Sequence, residues 1–421
     1  MRQPLPARER AILVGVTLKD PGSGRARNGD APEESLKELA QLAGSAGANV
    51  VESLSQSRAS AEASTLIGRG KVEELAGRAA ALDAQLAIFD AELSGTQQRN
   101  LEKALGTRVV DRTQLILDIF ARRARTREGR LQVELAQLSY LLPRLTGRGA
   151  SMSRLGGGIG TRGPGETQLE TDRRRIARRI RKVKEDLEGV RAGRALHRAQ
   201  RGSVPLPTVA LAGYTNAGKS TLFNRLTGAA VLADARMFAT LDPTVRALAL
   251  PSRRRVLLSD TVGFIRHLPT TLVEAFRATL EEIADAALIV HVVDASSPGA
   301  AEQIRQVEKV LGEIGAQGIP QVLAWNKMDV ADRVECARAG VEISALTGEG
   351  LERLLEAIDR ELPFDPIVTA KFRFPVSEQA KVALLHEAGR VGGARYSEGC
   401  VEVEARVPES VKRRLAEYAE R

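Results

Sequence analysis

A short apolar run, Thr208-Val-Ala-Leu-Ala-Gly213, passes directly into Tyr214-Thr215-Asn216-Ala217-Gly218-Lys219-Ser220-Thr221 and then into a helical pattern reaching Leu226. Few folds accommodate that order. An unbroken apolar strand has to be covered on both faces, as in a parallel sheet. Gly213 to Ser220 fits G-x-x-x-x-G-K-[ST], a loop whose backbone N–H groups wrap phosphates. Gly213 and Gly218 permit backbone geometry that a side chain would block. Strand, loop and helix in this sequence aim helical N–H groups and the positive end of the helix dipole at phosphate oxygens. Lys219 supplies a point charge for the β- and γ-phosphates, and the Ser220 hydroxyl is placed to ligate Mg²⁺. A chance glycine turn ahead of a helix is the competing reading, and the strand before and helix after argue against it.

The remaining signatures follow in order, each at the carboxyl end of a strand, where open α/β sheets bind ligands. Arg255-Val-Leu-Leu-Ser-Asp260 is a strand ending in an acid, followed by Thr261-Val262-Gly263. Asp260 is expected to reach Mg²⁺ through water, and the Gly263 amide to sense the γ-phosphate, which makes this segment a switch. Leu288–Asp294 and Val322–Trp325 read as further buried strands. The second of these delivers Asn326-Lys327-Met328-Asp329. Asp329 can accept from the guanine N1 and N2 donors, a pattern adenine lacks. Val341–Ile343 leads to Ser344-Ala345-Leu346, whose amides can cover the base; many GTPases place Lys where Leu346 stands. Between loop and Asp260 lies Phe238-Ala239-Thr240-Leu241-Asp242, a first switch. Thr240 is preferred over Thr244 as the threonine completing the Mg²⁺ shell. The cofactors read from these motifs are Mg²⁺ and GTP/GDP.

One absence is informative. In many GTPases a Gln after D-x-x-G orients the attacking water. Here Phe264 takes that place, and His267 reads as an ordinary loop residue. Slow intrinsic hydrolysis is expected, with a partner reorganising the switches or supplying catalytic groups.

Lys+Arg exceed Asp+Glu by 62 − 53 = 9, which favours a polyanionic partner. The two cysteines, Cys336 and Cys400, lie far apart with no metal-ligand spacing, so a reducing cytoplasm is expected. No stretch is long and apolar enough for a membrane span. With no oligomerisation signal, a monomer is the default.

The pattern around the loop sets the expected architecture: α/β, with a P-loop GTPase domain on a mainly parallel sheet. In 1–112, strands at Ala11–Leu18 and Leu86–Phe89 alternate with helices at Ser35–Ala46, Lys71–Leu82 and Thr96–Leu105, an N-terminal α/β domain. Leu66–Val72, glycine-rich and basic, reads as a tight strand–helix turn. Region 113–203 carries two apolar seams at heptad-like spacing. Leu131, Leu135, Leu138, Leu142 and Leu145 form one; Ile176, Ile180, Val183, Leu187 and Val190 form the other. They predict an antiparallel helical hairpin. Between them sits a glycine-rich loop bearing Arg148, Arg154 and Arg162. Arg173, Arg174, Arg175, Arg178 and Arg179 stud the second helix, and 173–184 contains no acid. Arginine forks suit phosphate, and the lack of aromatics favours structured RNA over base stacking. The bland alternative is a solvated face. The GTPase domain spans 204–363. After Leu362-Pro-Phe-Asp-Pro366, residues 364–421 read as a small α+β domain: strand Phe372–Val376, helix Ala380–Ala388, strand Val401–Val407, helix Val411–Tyr418.

The run from Gly156 through Gly-Gly-Ile-Gly-Thr-Arg-Gly-Pro-Gly-Glu-Thr-Gln-Leu-Glu-Thr-Asp to Arg173-Arg174-Arg175, with Phe238–Asp242 and Asp260–Phe264, resembles the HflX family of ribosome-associated GTPases over essentially the full length. The hydrophobic residue at 264 belongs to that pattern. The resemblance implies binding to the large (50S) ribosomal subunit and its rRNA, and hydrolysis stimulated by ribosomes. It further implies a part in splitting or rescuing stalled ribosomes under stress. The glycine-rich loop would then reach toward the peptidyl-transferase centre, Ser220 and Thr240 would hold Mg²⁺, and Asn326 and Asp329 would read the base. Two alternatives stay open: a GTPase assisting ribosome assembly or RNA modification, and an RNA-binding module in which GTP only sets affinity.

Overall fold

The computed structural model describes residues 9–18, 32–145, 164–200, 206–229, 237–238, 241–266, 277–331, 339–363, 367–397 and 400–419. They build an α/β architecture on three sheets. The first contains β1 (Arg10–Leu18), β2 (Asn49–Arg58), β3 (Leu86–Phe89) and β4 (Arg108–Asp111). Its order is β2-β1-β3-β4, parallel throughout. The period-two rule explains why β1 is apolar without interruption. Ala11 and Leu13 face one core with Leu39 and Leu42, while Ile12 and Val14 face a second with Leu75 and Leu101. Helices α1 (Pro32–Ala46), α2 (Arg69–Ala81), α3 (Gly95–Leu105) and α4 (Arg112–Arg123) cover the two faces. The Leu66–Val72 turn is the entry to α2, where Gly68 donates its N–H to Gln56 Oε1 at 3.0 Å.

The second sheet holds β5 (Thr208–Gly213), β6 (Thr244–Ala249), β7 (Arg255–Asp260), β8 (Leu288–Asp294), β9 (Gln321–Asn326) and β10 (Val341–Glu342). The order is β10-β9-β8-β5-β7-β6, with only β6 antiparallel. β5 is central and fully covered, and the loop after it opens α7 (Lys219–Thr227). Helices α8 (Arg277–Ala284), α9 (Ala300–Glu313) and α10 (Leu351–Glu361) complete this layer.

Between the two sheets α5 (Arg127–Arg144) leads out of the first unit, and α6 (Pro164–Gln200) returns toward the second. Leu131, Leu135 and Leu138 pack on Ile180, Val183 and Leu187, which joins the two helices as a hairpin. The third sheet, order β11-β13-β12, is antiparallel: β11 (Ile367–Pro375), β12 (Arg390–Ser397) and β13 (Cys400–Pro408). Helices α11 (Gln379–Ala388) and α12 (Glu409–Arg414) close its core around Phe372 and Phe374. Among the described residues no helix is long and apolar enough to cross a membrane.

Candidate nucleotide-binding site

Three strands of the second sheet, β5, β7 and β9, deliver the predicted residues to one edge. Gly218 adopts φ +94, where L side chains rarely go. A side chain there would also run into the Asn326 amide. Asn326 is buried and works twice: Nδ2 donates to Ala217 O at 2.7 Å, and Oδ1 accepts from Ala345 N at 2.9 Å. It therefore staples the phosphate loop to the Ser344–Ala345 turn. Ser344 Oγ donates to Asp329 Oδ1 at 2.6 Å, orienting the carboxylate. Lys327 Nζ pairs with Asp294 Oδ2 at 2.6 Å. Leu346 is 71% exposed beside these groups.

Lys219 is buried, and Nζ donates to Gly213 O at 3.1 Å and Tyr214 O at 2.9 Å. Burial pushes its pKa down to about 8, against the raising effect of Asp260. Ser220 Oγ donates to Asp260 Oδ2 at 2.7 Å, so the two oxygens proposed for Mg²⁺ stand side by side. This hard-oxygen pair fits Mg²⁺, which takes few protein ligands and fills its shell with phosphate and water. Among the described residues there is no cluster of three or more His, Cys, Asp or Glu able to hold a metal. Thr221 follows in the first turn of α7, and Thr261 Oγ1 donates to Leu211 O at 2.6 Å.

The second switch lies directly on the phosphate loop. Thr215 N donates to Phe264 O at 2.7 Å, and Phe264 N to Gly213 O at 3.1 Å. A Cβ on Gly263 would stand 2.8 Å from Thr215 Cγ2 and 3.0 Å from Lys219 Nζ, so only glycine brings this amide so close to the lysine. The Phe264 ring is buried among Tyr214, Leu280 and Ile283.

The first switch is held from outside its own sheet. Ala239 and Thr240 lie outside the described residues, as does His267; Thr244 begins β6. Phe238 has φ +58, a strained conformation for a bulky side chain. Its ring is buried edge-on against Phe120 of α4, centroids 4.6 Å apart. Met237 N donates to Ser45 Oγ of α1 at 3.0 Å. Asp242 accepts from Arg125 N at 2.9 Å, Thr126 N at 3.0 Å and Thr126 Oγ1 at 2.5 Å. Thr126 is the N-cap of α5, its oxygen accepting from Gly129 N at 2.9 Å. Both switches thus enter the core of the first unit: Met237, Phe238, Leu241, Val262 and Ile265 share one apolar cluster with Leu39, Leu42 and Phe120.

A buried polar cluster lies beside that core. Glu38 of α1 accepts from the Tyr214 hydroxyl, from Arg112 and, at 3.3 Å, from the Arg266 amide. Burial opposes the charge of Arg112, and Glu38 and Asp90 more than offset it, holding the guanidinium above its usual pKa. Burial first, then the Glu38 charge, pushes the Tyr214 phenol upward, so it remains a donor. Sequence reasoning missed Glu38, Arg112, Ser45 and Thr126. One signal pointed to Glu38: a charged residue on the same helical stripe as Ser35, Leu39 and Leu42.

The predicted RNA-contact residues divide. Arg148, Arg154 and Arg162 lie outside the described residues. Arg173, Arg175 and Arg178 are exposed on α6. Arg174 pairs with Glu170 at 3.0 Å, and Arg179 forks onto Glu134 of α5 at 2.6 and 2.9 Å. Acids just outside 173–184 and on the facing helix therefore occupy part of the run.

Three family profiles tile most of the chain. Those described as "GTP-binding GTPase N-terminal" and "GTP-binding GTPase Middle Region" match residues 33–121 and 123–201, and that described as "50S ribosome-binding GTPase" matches 208–327. The chain is 49% identical to "GTPase HflX" of Caldanaerobacter subterraneus, covering 98% of this chain and 94% of the relative. It is 53% identical to "GTPase HflX" of Alkalihalophilus pseudofirmus over 76% of this chain and 74% of that one. With "GTPase HflX" of Escherichia coli the identity is 42%, covering 97% and 96%. The predicted phosphate loop, switch segments and base-reading turn agree with these matches, and with near-complete coverage by these relatives the chain belongs to the HflX family of GTPases.

Proposed function

We propose that this GTPase binds the large ribosomal subunit through rRNA and couples its nucleotide state to ribosome splitting or rescue under stress. The observation that carries the reading is the joint between Asp242 and the N-cap of α5: the nucleotide switch is bonded to the start of the helix that leads into the glycine-rich, arginine-bearing arm. The family profile over the sheet of the phosphate loop bears the description "50S ribosome-binding GTPase", which supports the same partner. In this reading Gly213 to Thr221 bind the phosphates, Ser220 and Thr240 would hold Mg²⁺ with Asp260 acting through water, and Asn326 to Asp329 with Ser344 to Leu346 hold the guanine. Bound Mg²⁺ would offset charge on the β- and γ-phosphates. Hydrolysis joins a water oxygen to the γ-phosphorus and breaks its bond to the GDP oxygen. The buried Phe264 ring offers that water no hydrogen bond, so turnover alone is slow and the ribosome accelerates it. The protein acts as a cytoplasmic monomer.

The test is GTP turnover with and without purified large subunits at two salt concentrations, for the wild type and for Arg173, Arg174 and Arg175 changed together to Gln. Strong stimulation that fades with salt is expected, with a shallower salt slope in the variant. Tight GTP binding with no stimulation would refute the partner. Stimulation without subunit separation on a sucrose gradient would leave an assembly role instead.

A further inference from the structure

Glu38 belongs to α1, far in sequence from every nucleotide motif, yet its carboxylate meets two of them. Oε2 accepts from the Tyr214 hydroxyl, the residue directly after the first glycine of the phosphate loop. Oε1 accepts from the Arg266 amide at 3.3 Å, two residues beyond Phe264. Arg112, itself bonded to Oε1, donates to Arg266 O at 3.1 Å and to Asp90 Oδ1 at 2.7 Å. The Arg266 residue is thus bracketed, its N–H on Glu38 and its C=O on Arg112. Glu38, Arg112 and Arg266 are all buried, so water does not substitute for these bonds.

The main chain of Tyr214 extends the connection inward. Its carbonyl accepts from Lys219 Nζ at 2.9 Å. Its neighbours Gly213 and Thr215 exchange bonds with Phe264, so the loop and the second switch run as a short parallel pair. Gly263 lies within this pair. A group that fixes Tyr214 on one side and Arg266 on the other fixes the backbone that presents the Gly263 amide.

We propose that Glu38 is a positioning residue for GTP hydrolysis, holding the phosphate loop through Tyr214 and the second switch through Arg266 and Arg112 in the register that hydrolysis requires. It acts through the Tyr214 hydroxyl, the Arg266 amide and Arg112. Its contribution belongs to the hydrolysis of bound GTP and not to nucleotide affinity, which rests on Lys219, Gly218 and the Asn326 turn.

The experiment uses the full chain and single-turnover hydrolysis of prebound GTP without ribosomes, alongside GDP affinity and thermal melting. Glu38→Ala and Tyr214→Phe, the second removing only the hydroxyl and keeping the main chain that the loop turns toward phosphate, are each expected to slow hydrolysis about tenfold, the scale of a small misplacement of a reacting group, with GDP affinity changed less than about threefold. The double variant should be no slower than Glu38→Ala alone. Glu38→Gln should restore most of the rate, its amide donating to the Tyr214 oxygen while Oε1 still accepts from Arg112 and Arg266. A residue that merely fastened two units together would not give this split or this rescue. Unchanged rates, multiplying losses, or a loss confined to affinity would overturn the proposal. Should Glu38→Ala fail to fold, Tyr214→Phe and Glu38→Gln decide alone: the first must be slow and the second near the wild-type rate. Failure here would leave ribosome stimulation, measured separately, untouched.

Discussion

Replacing Asp242 with alanine should release the first turn of α5 while leaving the phosphate loop intact. The carboxylate accepts three hydrogen bonds, from the Arg125 and Thr126 amides and the Thr126 hydroxyl, and places a negative charge at a helix N-terminus. Bonds to a charged group contribute about 1.5–3 kcal/mol each when sheltered. Here one half-exposed carboxylate serves three donors, and the freed amides regain water, so a simple sum would overcount. Taking the low end, about 1.5 kcal/mol, and adding about 0.3–1 kcal/mol for the helix dipole gives roughly 1.8–2.5 kcal/mol for the joint. A chain of several units does not unfold as one, so local hydrogen exchange is the appropriate assay. Protection of the Arg125, Thr126 and Gly129 amides should fall about 20- to 70-fold, the same energy expressed as an equilibrium. Asp242→Asn, which keeps an acceptor, should lose about half as much free energy. Thr126→Ala should couple to Asp242→Ala in a double-mutant cycle by about 1 kcal/mol or more. Unchanged protection at these amides, or strict additivity of the two substitutions, would show that switch and arm are not mechanically joined.

Two further outcomes follow from the site. Because Lys219 has a pKa of about 8 without phosphate, GTP affinity should weaken about fourfold from pH 7 to pH 8.5, as a phosphate-bound ammonium must first be reprotonated. The sign for stability is opposite. The folded value lies below the ordinary 10.5, so the unfolded chain holds more protons between pH 8 and 10.5, and this lysine's destabilisation of the nucleotide-free protein is relieved as pH rises through that window. Calorimetric titration of GTP and nucleotide-free melting at the same pH values check both directions. Separately, Asp329→Asn should cost GTP affinity about two orders of magnitude, since an amide nitrogen would face the guanine donors; competition assays should show xanthosine triphosphate now preferred.

Local physics made the second sheet and its edge readable. Thr208–Gly213 and Leu288–Asp294 are mainly apolar because both faces are covered, with His291 a buried polar exception, and glycine, lysine and asparagine recur at the spacing that predicts phosphate and base chemistry. Other strands left fainter traces. β2 carries Glu52, Ser53, Ser55, Gln56 and Ser57 and is missing from the sequence reading, yet it gains its ladder from β1. β4 has four residues, too few for a period, and the paired glycines of β12 mimic a turn. β6 emerges from an Asp-Pro segment that reads as a turn and is held by antiparallel pairing to β7. What the sequence hid most completely is long-range: a Phe–Phe edge contact between positions 120 and 238, an aspartate bonded to a helix start more than a hundred residues earlier, and a glutamate at 38 bonded to a tyrosine at 214. Periodicity carries no information about such pairings. The arginine run shows the same limit, for Glu134 meets Arg179 only once the hairpin has closed.

The shared apolar cluster has a consequence for how the chain is made. The first sheet and its helices are synthesised early, but one of their cores contains Met237, Phe238, Leu241, Val262 and Ile265. At about 5–20 residues per second, the ribosome takes several seconds to reach those side chains after finishing α5. For that interval the nascent N-terminal part carries an apolar face with nothing to bury it, and a product truncated before residue 237 would carry it permanently. The predicted switch segments are thus also the last piece of one core of their neighbour, whose other core closes early, within residues 12–109.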